Sequence, residues 1–199
     1  MLGILILLAI AAFLVIVVVR TIKFMPKPQP PLVRESCTFD QDAAVDALVQ
    51  LVRCKTVSYN DHSMEDDAEF EKLIGLLPGL YPRVFDVCSV NQLPDRALLL
   101  RWPGKGHGDP AVLMAHHDVV PVNEENWEKP PFAGIIEDDI LWGRGTLDTK
   151  VTFNGIFSAA NYLIGKGFQP ENDIYFAFSG GEEVNGMGAE NIVQYFVDH

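Results

Sequence analysis

The chain has 199 residues, 48% hydrophobic, with a formal net charge of −12. That length suits one ordinary domain plus an appendage. Residues 1–36 carry four basic groups and one acid, a net of +3, so the remainder carries −15; such an acidic body excludes nucleic-acid binding through its general field.

Met1 to Val19 hold no charge and almost no polarity. A helix of that length reaches about 28 Å, close to the hydrocarbon thickness of a bilayer. A buried core helix would show a polar face, and this segment has none. No basic residue precedes the run and no small-x-small cleavage site follows it, which argues against a cleaved signal peptide. Residues 1–20 are therefore expected to be a single-pass membrane anchor. Arg20, Lys23, Lys27 and Arg34 form a basic flank that favours a cytoplasmic domain side and suits lipid headgroups. Residues 21–38 form a linker, stiffened by Pro26, Pro28, Pro30 and Pro31. Residues 39–199 form the domain. Cys37, Cys54 and Cys88 have no metal-ligand spacing and leave one odd, so they read as packing residues.

Asp40 is placed to cap a helix whose apolar face is Ala44, Val45, Leu48, Leu51 and Val52. A second helix is expected over Glu65 to Leu77, with Glu65, Asp66, Asp67, Glu69 and Glu71 as its solvated face; the glycine of a calcium loop is missing. Strands are expected over Val84 to Val90, Ala97 to Trp102 and Ala111 to Ala115, the last fully buried. Gly134 to Trp142 reads as two strands around an Asp138-Asp139 turn. A helix over Asn154 to Lys166 stops at Gly167. Asp173 to Phe178 is another strand, and Ala189 to Val197 a last helix. This alternation predicts an α/β fold, an open mixed sheet with helices on both faces.

Three stretches carry chemistry, each at or near a predicted strand end, where open α/β sheets place their sites. In Met114-Ala115-His116-His117-Asp118 an imidazole can ligate a divalent metal, and a carboxylate two residues on can support it. In Gly143-Arg144-Gly145-Thr146-Leu147-Asp148 the glycines allow a tight path, and Asp148 either caps the next helix or bridges two metals. In Ser179-Gly180-Gly181-Glu182-Glu183 neighbouring carboxylates point different ways, so one can bind metal while the other takes a proton from the attacking water. Each stretch alone could be an incidental polar loop. Together they supply the His, Asp and Glu donors that zinc, manganese or cobalt accept.

The stretches LMAHHDVVPV, WEKPPFAGIIEDDILWGRGTLDTK and FAFSGGEEVNGMGA resemble the co-catalytic zinc metallopeptidases that include carboxypeptidase S, aminoacylase, acetylornithine deacetylase and succinyl-diaminopimelate desuccinylase, the carboxypeptidase S-like branch above all. The resemblance covers about residues 40–199. It implies His116 and Glu183 as ligands of different metals, Asp148 as the bridge between them, Asp118 as support for His116, and Glu182 as general base. It implies a cis bond after Asp148, two Zn2+ ions (or Co2+ or Mn2+), and hydrolysis of small peptides or N-acyl amino acids. Arg144 is expected to hold the loop around Asp148. The family's further ligands, and an inserted domain that often mediates a homodimer, are expected beyond His199, so the chain reads as the N-terminal part of an enzyme, inactive alone. The competing reading is a membrane-tethered, non-catalytic binding module on the same fold. A metal phosphoesterase is disfavoured by the Glu182-Glu183 pair and the GRGTLDTK stretch.

Overall fold

The computed structural model describes residues 2–26 and 37–199. Most of the proline-rich linker, including Pro28, Pro30 and Pro31, lies outside them. Two compact units are distinguished, residues 1–38 and 39–199.

The first unit holds helix α1, Leu2–Phe24, with none of its residues buried. It is long and apolar enough to cross a membrane.

In the second unit Asp40 caps α2 (Gln41–Val52), its carboxylate accepting from Ala43 N at 3.0 Å. The buried face of α2 is Ala47, Val49, Leu51 and Val52. Val45 stands exposed, contrary to the expected stripe. The next helix, α3 (Asp67–Leu80), begins and ends later than expected. Glu65 lies ahead of it and is no solvated residue: its side chain is 1% exposed and paired with Arg96. Its burial is tolerable because Tyr59 N also donates to it at 2.8 Å. The segment expected as one strand from Val84 is instead helix α4 (Pro82–Val87) followed by strand β1 (Ser89–Leu93). Pro82 explains this, since its fixed φ suits a first helical turn and its missing N–H costs nothing there.

Strand β2 is Ala97–Trp102 and β3 is Ala111–His116. The short pair β4 (Ile135–Glu137) and β5 (Ile140–Trp142) turns through Asp138 and Asp139, both at positive φ. Helix α5 (Lys150–Gly165) starts four residues before the expected Asn154, and Gly167 sits beyond it at φ +76°. Strand β6 is Ile174–Ser179, and helix α6 is Gly188–Asp198.

The main sheet has the order β1-β2-β6-β3, with β3 parallel to β6 and the other pairs antiparallel. Period-two alternation divides its side chains between two faces. Leu98, Leu100, Trp102, Phe176 and Phe178 meet α2 to α5 on one face, with Phe153 and Phe157 at the centre. Ala97, Leu99 and Ala177 meet Ile192 of α6 on the other. Helices thus cover both faces. Strand β3 is not fully buried: it lies at the end of the sheet, and Val112, Leu113 and Met114 are exposed. Its apolar run reads like a central strand, but position in the sheet overrides that pattern. Cys54 and Cys88 are buried as expected of packing residues, whereas Cys37 is exposed.

Candidate metal centre

The parallel strands β3 and β6 end side by side, His116 opposite Ser179. Residues 116–118 and 180–183 therefore leave the sheet together. The loop that enters α5 brings in Asp148, and Asp148-Thr149 is cis. Asp148 does not cap α5; the N-cap position is Thr149, with no side-chain hydrogen bond. Gly145 at φ +85° and Gly143 give this loop its path. A Cβ on Gly143 would stand 2.5 Å from Val52 Cγ1, and one on Gly145 2.7 Å from Val119 Cγ1.

His116, Asp148 and Glu183 each offer a ligand atom within 4.8 Å of the others. His116 Nε2 lies 3.2 Å from Asp148 Oδ1 and 3.7 Å from Glu182 Oε2. Its Nδ1 lies 3.2 Å from the Asp118 carbonyl and 3.3 Å from Asp118 Oδ1. A carbonyl only accepts, so Nδ1 carries a proton; once the ring is neutral, Nε2 is left as the lone-pair donor toward the carboxylates. Asp118 is fully buried, yet burial is outweighed by hydrogen bonds from His116, Ser58 and Glu183 N, which hold its pKa below the ordinary value.

Burial alone would lower the His116 pKa. Asp118, by hydrogen bond and charge, and Glu182 raise it to about 9. Glu183 is pushed up by burial and then by the charge of Asp148. Mutually repelling carboxylates around one imidazole nitrogen are the donor set a divalent cation would neutralise, so the residues present fit such an ion.

His117 points elsewhere: it is fully buried, and its Nε2 donates to Arg96 O at 3.0 Å. Burial lowers its pKa to about 4, so it stays neutral. Among the described residues Arg144 forms no ion pair with the Asp148 loop. Its guanidinium lies over Trp127 at 5.3 Å, and its backbone N–H donates to Pro131 O at 2.8 Å. Two buried groups near the centre carry no signature in the linear sequence. Ser58 Oγ donates to Asp118 Oδ2 at 2.8 Å. The fully buried Lys150 donates to Leu51 O at 2.9 Å and Cys54 O at 2.7 Å, anchoring the end of α2 beside the loop that carries Asp148. Ser58 belongs to none of the three stretches, and Lys150 ends the GRGTLDTK stretch with nothing beside it to announce its burial.

Residues 112–199 match the family described as Peptidase family M20/M25/M40. The chain is 32% identical over 194 residues to a probable carboxypeptidase S-like 2 of Dictyostelium discoideum, covering 92% of this chain and 37% of that protein. The chain belongs to this peptidase family, in its carboxypeptidase S-like branch. Carboxypeptidase S of Saccharomyces cerevisiae is 31% identical over 78% of this chain and 29% of its own length. The N-fatty-acyl-amino acid synthase/hydrolase PM20D1 of Xenopus tropicalis is 33% identical over 82% of this chain and 32% of its own. The chain thus spans about a third of the length of these curated relatives. Among solved structures, human carnosine dipeptidase 1 shares the fold with a TM-score of 0.66 at 18% identity, over 80% of this chain and 36% of that one. The metallo-carboxypeptidase Sso-CP2 of Sulfolobus solfataricus follows at a TM-score of 0.60 and 19% identity, over 78% of this chain and 34% of that one.

Proposed function

We propose that this M20-family chain carries part of a zinc-dependent centre that hydrolyses amide bonds in small peptides or N-acyl amino acids. The supporting observation is the convergence of His116, Asp148 and Glu183 within 4.8 Å, with Glu182 beside the same imidazole nitrogen. His116 and Glu183 would hold different ions and Asp148 would bridge them. Bound divalent ions would polarise the scissile carbonyl and acidify the attacking water.

Glu182 is proposed as the general base. Its side chain is 56% exposed, so it can reach solvent-borne substrate, and its Oε2 stands 3.7 Å from His116 Nε2. It takes the proton from water and returns it to the leaving nitrogen. Asp118 holds His116 in the tautomer that leaves Nε2 free. Counting Asp148 twice, each ion has two protein ligands here, whereas catalytic zinc sites usually keep three. The 199 residues alone are therefore proposed to bind metal weakly and to turn over little. The intact donor set favours a hydrolase over a non-catalytic binding module.

Substrate class follows from the relatives. One is named a carboxypeptidase and another an N-fatty-acyl-amino acid synthase/hydrolase, and both names describe the amide bond of an amino acid. Helix α1 is proposed as a membrane anchor, with the domain on the cytoplasmic side of the basic flank.

Glu182→Gln tests the assignment in a form extended to a complete ligand set. Amide hydrolysis should fall by at least about 100-fold, the low end of what general acid–base catalysis supplies, while bound zinc stays unchanged. Unchanged turnover would remove Glu182 from the role of base. Loss of zinc instead would make it a ligand.

A further inference from the structure

Ser58 lies nearly sixty residues before the metal loops, and its side chain is fully buried against them. The segment Thr56–Ser58 runs beside residues 117–119 and is locked to them. Val119 N donates to Thr56 O at 2.9 Å, Ser58 N donates to Val119 O at 3.0 Å, and Val57 bridges Val119 in parallel. Thr56 Oγ1 adds a 2.6 Å bond to His117 O. This fixes the Ser58 hydroxyl under Asp118.

That hydroxyl has one proton and two acceptors in reach: Asp118 Oδ2 at 2.8 Å and Gly180 O at 3.3 Å. The shorter bond goes to the charged acceptor, as charge-assisted bonds do. Asp118 is then filled on both oxygens. Oδ1 faces His116 Nδ1 at 3.3 Å and accepts from Glu182 N at 3.2 Å; Oδ2 accepts from Ser58 and from Glu183 N at 3.2 Å. One carboxylate thus orients an imidazole and the backbone of both glutamates. Three of its four contacts are longer than 3 Å, and the Ser58 bond is the short one that fixes its rotation.

We propose that Ser58 is a positioning residue: through Asp118 it holds His116 and the Glu182-Glu183 backbone in register for metal binding. The proposal rests on the metal-centre reading above. It assigns a role to a residue outside the three motif stretches, and that role is set by the fold alone. Without the hydroxyl, Asp118 Oδ2 loses its shortest bond in a site closed to water, and the carboxylate is free to turn away from the imidazole.

The test is Co2+ binding to the full chain in detergent micelles, followed by visible absorption and by competition with a chelator. Thr and Val fill nearly the same volume and differ by the hydroxyl. Ser58→Val should weaken Co2+ binding about tenfold, the lower end of what groups supporting a ligand from behind contribute. Ser58→Thr should recover most of that loss. Equal affinities for the Thr and Val variants would overturn the proposal, even if both melted lower than wild type in chelator, because that pattern is packing alone. Should Ser58→Val fail to fold, Ser58→Ala in wild-type and Asp118→Asn backgrounds decides the matter. The affinity loss should vanish in the Asn background, and an undiminished loss there would show that Ser58 does not act through Asp118. Failure of Co2+ to bind both to this chain at millimolar concentration and to a form extended to a complete ligand set would sink the metal-centre reading itself, a result distinct from variants that bind as wild type does.

Discussion

Replacing Lys150 by Met should leave a pH signature that no packing defect can imitate. The Lys150 ammonium is fully buried, and burial lowers its pKa from 10.5 to about 8. Each pKa unit corresponds to about 1.4 kcal/mol, so sequestering this charge costs about 3 kcal/mol at neutral pH. Against that cost stand two charge-assisted bonds, to Leu51 O and Cys54 O, worth about 1.5–3 kcal/mol each. Met keeps the length of the side chain and removes both terms. Leu51 O retains the Cys54 N–H, so Cys54 O is the carbonyl left in need of a donor. The expected net effect at pH 7 is a destabilisation of about 1–2 kcal/mol.

The pH dependence is more decisive than this difference of large terms. Below pH 8 the folded and unfolded chains both hold the Lys150 proton, and the cost of the buried charge is present in full. Between about 8 and 10.5 the unfolded chain holds more of that proton, so stability rises with pH through this window. The stability of wild type minus that of Lys150→Met should therefore grow by up to about 3 kcal/mol across it. Denaturant unfolding in micelles, followed by tryptophan fluorescence at pH 7, 8, 9 and 10, measures the difference, and groups common to both chains cancel. A difference that stays flat across these pH values would refute the claim that Lys150 is charged and buried in the folded state.

Two further outcomes are expected. Phe157 stacks on Tyr81 at 4.8 Å and packs edge-on against Phe153 at 5.0 Å, so Phe157→Ala should cost about 3–5 kcal/mol and lower the melting temperature well beyond any surface substitution; a shift near zero would place the core elsewhere. Without metal His116 is protonated at pH 7, its pKa lying near 9, whereas a ligating imidazole must be neutral. Zn2+ binding at pH 7 should thus release close to one proton from this residue and tighten as pH rises toward 9. Calorimetry in buffers of different ionisation enthalpy reads that proton, and binding without release would exclude His116 as a ligand.

Local signals in the chain were enough for much of this. The uncharged run opening the sequence became a single helix, Leu2–Phe24, because a helix satisfies the interior backbone groups of such an apolar segment within the segment itself. Asp40 capped its helix and Asp138-Asp139 made its turn, since both depend on neighbours a few residues away. The three polar stretches were visible as residue types that suit a divalent ion. Their meeting was implied by the family resemblance and by no local pattern: 32 residues separate His116 from Asp148, the loop that enters α5 closes that gap, and the parallel pairing of β3 with β6 brings residues 180–183 alongside. Burial of charge was equally hidden. Glu65 looked like part of a solvated helix, and Lys150 closed the GRGTLDTK stretch with no sign of burial, because nothing adjacent in sequence announces Arg96 or the end of α2 as a partner. The apolar run of β3 was misjudged for the same reason, since a strand's pattern says which residues tolerate burial and its place in the sheet decides whether they receive it.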